Sequence, residues 1–264
     1  MTYEMLMRHA ADMRDLAVSV ASAGTGDDPW RRRSVEREFA DLPDAFRPIA
    51  GFPDPRDFEA RVERVRDVLR GLSTGDGELA APGLGDLSTS LRNWQGEAAE
   101  RFKAGFVEPW PAFVRNQYTV GVVLRAGLEA QRDIWARARQ DADQIAEQGL
   151  AAVGACGDCT RTEWTVTFTV VASVAAIVAV PVGGGLALAA GGIAGLAQVA
   201  AATGPAEAPR TTFSADDPAE VADRVREAVT QLRRHVHDKQ DEVHRALRDT
   251  GRVLTDQPEL FGWR

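Results

Sequence analysis

The feature that most constrains this chain is a long stretch without a charged side chain. Trp164 to Ala206 covers 43 positions and contains no Asp, Glu, Lys or Arg. Its first part is β-branched and apolar, Pro181 and the glycines at 183–185 predict a bend, and its second part is apolar and small. Because a membrane-spanning helix needs about 20 apolar residues, the stretch is long enough for a helical hairpin of two spans.

Small residues recur through the second half of this stretch at intervals of four. Such a stripe lets two helices approach closely in lipid, and it consists of Gly183, Ala187, Gly191 and Gly195. The alternative is a hairpin buried inside the protein by amphipathic helices. Since each glycine costs a helix in water about 1 kcal/mol, the composition favours membrane contact. No strong basic cluster flanks the stretch to indicate its orientation, and both interpretations stay open.

The rest of the chain predicts helices. Ala, Leu, Val, Arg and Glu are abundant and aromatic residues make up only 7%, a composition that favours helices over sheets. Three Asp-Pro pairs mark helix starts, since Asp caps free N–H groups and Pro fits the first helical position: Asp28-Pro29, Asp54-Pro55 and Asp217-Pro218. Glu220 follows Asp217 at the spacing of a capping box, and the last helix is expected to end near Gly251.

Two amphipathic segments lie on either side of a tryptophan-glycine motif. The first is a helix from Asp54 to about Ser73, with apolar residues at alternating steps of four and three. The second follows Gly96, and Pro109 predicts a kink or break in it. Its apolar stripe consists of Phe102, Phe106, Trp110 and Phe113.

We therefore predict an all-α fold, a long-helix bundle with two helical hairpins. Its predicted parts are an N-terminal helical portion (1–53), a helical hairpin (54–150), an apolar, membrane-inserting or buried hairpin (164–206), and a C-terminal amphipathic helix and tail (214–264).

The motif between the two amphipathic segments is the strongest local signal. It reads Asn93-Trp94-Gln95-Gly96-Glu97-Ala98-Ala99. Glycine permits a tight reversal between antiparallel helices, and a neighbouring tryptophan can cover the end of the hairpin core. With Phe102 and Phe106 following at helical spacing, the region from about Asp54 to Gly149 resembles the WXG family of helical hairpins exported by type VII secretion systems.

The resemblance implies a non-enzymatic protein from an actinobacterium that is secreted or membrane-associated and pairs with a helical partner or with itself. It also implies contact with the secretion machinery. The N-terminal residues predict an amphipathic helix and no ordinary signal peptide. Family members often end the second helix with a tyrosine four residues before an acidic residue. Here Trp135 and Arg139 hold those places, so the resemblance does not extend to that export signal.

Other classes of function find little support in the sequence. A net charge of −8 argues against general affinity for nucleic acid. No phosphate-binding loop, nucleophile elbow or zinc-protease motif is present, so we predict no catalytic residue, no metal site and no cofactor. Two further hypotheses use the uncharged stretch: a helical pore-forming or membrane-active toxin, and an integral membrane helical protein.

The cysteines and histidines carry only weak signals. Cys156 and Cys159 form a lone CxxC motif, for which a local disulfide and two free thiols both remain open. A zinc site needs about four ligands, which makes a metal role the weaker interpretation. His235, His237 and His244 fall on a charged helix and are expected to belong mainly to its solvated face.

Overall fold

The computed structural model describes residues 3–23, 28–72, 89–156, 161–170 and 208–258. These residues are mostly helical, which confirms the predicted all-α class. The chain divides into two compact units. Unit 1 comprises Met1–Pro55, Arg132–Val174 and Pro205–Asp241, and unit 2 comprises Arg56–Gln131, Ala175–Gly204 and Glu242–Arg264.

Three N-terminal helices belong to unit 1: α1 (Tyr3–Ser22), α2 (Pro29–Phe39) and α3 (Leu42–Ala50). Helix α2 starts at the predicted Asp-Pro pair, and the Asp28 side chain accepts a hydrogen bond from the Trp30 N–H at 2.9 Å. Helix α1 packs against both α2 and α3. It buries one stripe at helical spacing, made of Leu6, Ala10, Met13 and Ala17.

Unit 1 also contains a two-stranded antiparallel sheet, which we call the β-ribbon and which the sequence did not predict. Strand β1 (Thr162–Thr167) pairs with β2 (Arg210–Ala215), and Thr167 lies opposite Arg210. Trp164 and Val166 are buried while Glu163 and Thr165 are exposed, the period of two that a half-buried strand requires. The prediction of an apolar helical hairpin over 164–206 is therefore wrong at its start, because the β-branched, alternating residues up to Thr167 form a strand.

The remainder of the predicted apolar hairpin, residues 171–207, lies outside the described residues. The predicted packing stripe of Gly183, Ala187, Gly191 and Gly195 falls there too. In the part of the chain that the structure describes, no helix combines the length and the apolar character needed to cross a membrane.

Unit 2 opens with α4 (Arg56–Gly71), followed by the short helix α5 (Glu97–Phe102) and a π-helical turn (Lys103–Val107). The long helix α6 (Trp110–Ala155) then begins. The break between them lies at Glu108 and Pro109, as predicted. Proline cannot donate to the turn before it and clashes with that turn, so regular α-helix resumes only after Pro109.

Helix α4 lies antiparallel to the first part of α6. Leu69 lies next to Gly121, and the Arg66 Nη2 is 3.7 Å from the Glu129 Oε1. The earlier residue of α4 thus contacts the later residue of α6, so the two helices run in opposite directions. A Cβ atom on Gly121 would be 2.7 Å from the Leu69 Cδ2. A side chain at position 121 would therefore require the Leu69 side chain to move.

The last helix, α7, spans Pro218–Asp256. Its start confirms the predicted capping box: the Glu220 N–H donates to the Asp217 Oδ1 at 2.8 Å. The Glu220 carboxylate reaches back to the N–H of Asp216 at 3.0 Å, one residue before the usual position. The predicted end at Gly251 is wrong. One glycine costs a helix about 1 kcal/mol, and the following residues continue the helix to Asp256.

Candidate interaction surface

The predicted turn residues Trp94 and Gly96 lie in the non-helical segment 91–96, and the last three residues of the motif begin α5. The Trp94 N–H donates to the Leu91 carbonyl at 3.1 Å, and the Glu100 N–H donates to the Gly96 carbonyl at 3.0 Å, which starts α5. Gly96 has a φ angle of 101°, a conformation that side chains with a Cβ rarely adopt. The Lys103 Nζ donates to the Trp94 carbonyl at 2.9 Å, so the turn is tied to the π-helical turn that follows.

Four aromatic rings follow one another from this turn into α6. The ring centroids are 5.6 Å apart for Trp94 and Phe102, 5.1 Å for Phe102 and Phe106, and 5.2 Å for Phe106 and Trp110. We call these four residues the aromatic ladder. Their separations lie in the range in which aromatic pairs attract one another beyond simple burial. The structure thus brings together the predicted motif residue Trp94 and three of the four predicted stripe residues.

The aromatic ladder is open to solvent at its first two rings. Trp94 is 41% exposed and Phe102 is 37% exposed, while Phe106 and Trp110 are half-buried. Phe113, the last predicted stripe residue, is half-buried on α6. Since burial of apolar surface stabilises by roughly 25 cal/mol per Å², the exposed rings would gain free energy by contact with an apolar partner surface.

Charged side chains border the aromatic ladder. Glu97 and Arg101 form an exposed ion pair on α5, and Glu100 and Glu108 are exposed. An apolar centre with a polar, charged rim is the usual composition of a protein interaction site. The local chemistry therefore fits protein recognition better than a small-molecule pocket.

The position that would carry the export signal of the resembled family is buried. Trp135 is 7% exposed, and its ring centroid lies 4.9 Å from that of Phe52. The Arg139 Nη2 donates to the Phe52 carbonyl at 2.9 Å. These two residues hold the segment after α3 against α6 and so take part in the packing of unit 1.

The described residues contain no cluster of three or more His, Cys, Asp or Glu side chains suited to a metal ion. The Cys156 Sγ lies 3.3 Å from the Ala152 carbonyl, and burial raises the pKa of its thiol. A raised thiol pKa disfavours the reactive thiolate. Cys159 lies outside the described residues, so the possible Cys156–Cys159 disulfide stays a prediction.

The three histidines of α7 do not form a group. The Phe168 and His235 rings are 5.0 Å apart, and burial lowers the pKa of the half-buried His235. His237 is exposed and its Nε2 lies 3.6 Å from the Asp241 Oδ2, while His244 is exposed. The predicted solvated face therefore holds His237 and His244, whereas His235 packs on Phe168, directly after β1.

Sequence reasoning missed a buried carboxylate on α6. Asp141 is 0% exposed and accepts hydrogen bonds from the residues that follow β1. Its position was a usable signal, because it falls three and four residues from the apolar stripe members Ala138 and Ile145. An acidic residue on the apolar face of a helix requires buried hydrogen-bond donors.

Comparison with protein-family models, curated proteins and solved structures found no match to this chain. The sequence motif and the geometry of the described residues therefore carry the functional inference.

Proposed function

We propose that this chain is a non-enzymatic helical protein of the WXG type, a type VII secretion substrate or associated protein, which binds a helical partner through the aromatic ladder. The observation that carries the proposal is the Trp94–Gly96 turn with exposed aromatic rings beside it. The antiparallel packing of α4 on α6 further supports a helical hairpin of this type.

The partner surface that fits the aromatic ladder is an apolar stripe on an amphipathic helix, from another protein or from a second copy of this chain. Such helices bind grooves through residues spaced three and four apart. Trp94 is the expected anchor, because tryptophan is enriched among the residues that dominate binding energy. The charged rim, which includes Glu97 and Arg101, would then set the orientation of the partner.

The experiment compares two tryptophan variants in the native host. Trp94→Ala removes the first ring of the ladder. Trp30→Ala is the matched control, since Trp30 is 75% exposed and lies on α2 in the other unit. Untagged wild-type protein and both variants are quantified in cytosol, membranes and culture medium, and the helical content of each purified protein is checked by circular dichroism.

The proposal expects wild-type protein and Trp30→Ala in the medium, and Trp94→Ala retained in the cell although folded. Co-purification should also recover a helical partner, or a second copy, with wild-type protein and Trp30→Ala but not with Trp94→Ala. Export of Trp94→Ala at the wild-type level, or retention of the wild-type protein in the cell, would refute the proposal.

A membrane-active helical toxin is the second candidate function. The observation that favours it is the β-ribbon: Thr167 lies opposite Arg210, and the Phe168 N–H donates to the Pro209 carbonyl at 2.9 Å. The chain that leads into residues 171–207 and the chain that follows them are therefore held side by side. A segment that enters a bilayer as a hairpin needs its two ends on the same side.

The same contact suggests a deletion that removes none of the residues that the structure describes. Replacing 171–207 by a short glycine-serine linker keeps both strands and the Phe168–Pro209 hydrogen bond. Leakage of dye from phospholipid vesicles with the full chain, and none with the linker variant, would establish the toxin activity. Absence of leakage with the full chain would exclude it, and export of the linker variant would show that the stretch is dispensable for secretion.

A further inference from the structure

Helix α2 buries only one of its side chains. Phe39 is 1% exposed, Val35 is half-buried, and every other residue from Pro29 to Glu38 is exposed. Residues three, four and seven positions apart share one face of a helix. Counted from Trp30, this spacing defines a face opposite Phe39 that is exposed along the whole helix.

The outward face of α2 consists of Trp30, Arg33, Ser34 and Arg37. Trp30 is 75% exposed, and the Arg33 Cζ lies 4.7 Å from the centroid of its ring. A guanidinium at this distance is attracted to the face of the ring. The helix therefore presents a large aromatic ring and a cation together, with a second arginine one turn further along.

Neither arginine of the outward face forms an ion pair with a carboxylate of the described residues. The Arg33 Nε donates to the Pro29 carbonyl and the Arg37 Nε donates to the Arg33 carbonyl, each at 3.3 Å. These bonds use one nitrogen of each guanidinium, and a backbone carbonyl carries no net charge to neutralise the cation. The terminal Nη groups can therefore bind an external anion.

The flanks of α2 differ, because their arginines are paired with acidic residues. The Arg31 Nε lies 3.8 Å from the Asp28 Oδ2, and the Arg32 Nε lies 3.5 Å from the Glu36 Oε1. Positive charge on this helix is thus offset on its flanks and left uncompensated on its outward face. A negatively charged surface is therefore attracted to the outward face.

The side chains of the outward face suit lipid phosphate better than a protein surface. Arginine binds phosphate through paired N–H groups, and tryptophan is enriched where the hydrocarbon of a bilayer meets water. A stable protein interface buries about 800 Å² per partner around an apolar centre. Within α2, whose residues are all described, Trp30 is the one exposed large apolar side chain, which is too little for such a centre.

Single-stranded nucleic acid also combines phosphates with groups that stack on aromatic rings. Proteins usually hold it on several rings along a basic groove, whereas the outward face carries one ring on an exposed helix. An anionic bilayer requires neither a groove nor a second ring, because one aromatic side chain enters the headgroup region while the cations remain at the phosphates.

We propose that the outward face of α2 is a binding site for an anionic phospholipid bilayer. Arg33 and Arg37 contact the lipid phosphates, and the Trp30 ring enters the headgroup region beside them. The site shares no residue with the aromatic ladder or with residues 171–207, so it does not depend on either candidate function.

The experiment measures binding of the full chain to sedimented vesicles of phosphatidylcholine, with and without phosphatidylglycerol. Arg33→Gln/Arg37→Gln removes both cations of the outward face. Arg31→Gln/Arg32→Gln is the matched control, because it removes the same charge from the same helix. All four positions are exposed, and circular dichroism checks that each variant keeps its helical content.

Wild-type protein should bind the vesicles that contain phosphatidylglycerol, and raised salt should weaken this binding. Arg33→Gln/Arg37→Gln should weaken it by roughly 10- to 30-fold, since each arginine near an anionic membrane contributes about a 5-fold gain. Arg31→Gln/Arg32→Gln should stay within roughly 3-fold of the wild type, because those side chains lie off the outward face.

Fluorescence tests the place of the tryptophan. Phospholipids brominated in the upper part of their acyl chains quench a tryptophan that reaches the headgroup boundary, so they should quench wild-type protein on anionic vesicles. Trp30→Ala should remove most of this quenching and weaken vesicle binding. The Asp28 cap of α2 accepts from the backbone N–H of Trp30, so this variant keeps the start of the helix.

Several results would overturn the proposal. Equal weakening by the two double arginine variants would show a general attraction to charge. Failure of the wild-type protein to bind anionic vesicles, binding that neither double variant weakens, or full quenching in Trp30→Ala would each remove the site. Tighter binding to single-stranded DNA than to anionic vesicles, lost in Arg33→Gln/Arg37→Gln, would assign the face to nucleic acid instead.

Discussion

Alanine at two helical glycines should change stability in opposite directions. Alanine in place of glycine stabilises a helix by about 1 kcal/mol, which applies to both Gly121 and Gly251. At Gly251 a Cβ atom meets nothing within 4 Å, whereas at Gly121 it would lie 2.7 Å from the Leu69 Cδ2 and 3.4 Å from its Cγ. Leu69 is 4% exposed, so its side chain has little room to move away.

The two effects can be weighed against each other. Overpacking a core costs roughly 1–3 kcal/mol, so Gly121→Ala should destabilise unit 2 by about 0–2 kcal/mol after the helix-propensity gain. Gly251→Ala should stabilise it by up to about 1 kcal/mol. In a Leu69→Ala background the clash is gone, and Gly121→Ala should then become stabilising.

The stability of unit 2 in each variant is measured by urea titration, with the hydrogen exchange of peptides from α4 as the signal. The double-mutant comparison isolates the contact between Leu69 and position 121. If Gly121→Ala stabilises as much as Gly251→Ala in the presence of Leu69, the close packing of α4 on α6 is refuted. A destabilising Gly251→Ala would refute the continuation of α7 beyond residue 250.

Three further predictions concern residues of unit 1, and the last uses Leu124 of unit 2 as its exposed control. Burial raises the pKa of Asp143 from 3.8 to about 6, so its contribution to stability is present at low pH and lost as the pH rises through about 6. Asp143→Asn should therefore raise the urea midpoint at pH 8 and reduce the difference between the midpoints at pH 5 and pH 8. A variant whose urea midpoint depends on pH as in the wild type would contradict this prediction. Asp217→Ala removes the N-cap of α7 and should lower the free energy of unfolding by about 1 kcal/mol, which is measured as a lower melting temperature. A variant as stable as the wild type would show that the cap is dispensable. Ile134 is 0% exposed, so Ile134→Ala should lower the free energy of unfolding by about 2–5 kcal/mol. Leu124 is 44% exposed, so Leu124→Ala should lower it by less than about 1 kcal/mol. Similar urea midpoints for these two variants would contradict the burial of Ile134.

The sequence predicted the features that depend on neighbouring residues. An Asp-Pro pair starts a helix because the aspartate caps it and the proline fits its first turn, and α2 and α7 begin at such pairs. Proline interrupts a helix by its own geometry, and the break before α6 lies at Pro109. The turn at Gly96 and the aromatic residues Phe102 and Phe106, four positions apart, could be predicted because they too depend only on neighbouring residues.

The β-ribbon was not visible, because its strands come from distant parts of the chain. Thr165 and Thr212 are 47 residues apart and their hydroxyl oxygens lie 3.0 Å from each other. A β-branched segment in an uncharged stretch fits a strand and a membrane helix alike, and only the presence of a partner strand decides between them. The predicted end of α7 at Gly251 was wrong because a glycine ends a helix only where the chain also turns away, and here the helix continues to Asp256.

The sequence by itself determined the helical class, the helix starts and the aromatic stripe, because capping, proline geometry and periodicity act within a few residues. Only the tertiary structure decided which rings of the stripe are exposed, that α4 and α6 meet at Gly121, and that Asp141 holds the segment after β1. Those features depend on surfaces brought together from distant parts of the chain, where burial and hydrogen bonding override local preference.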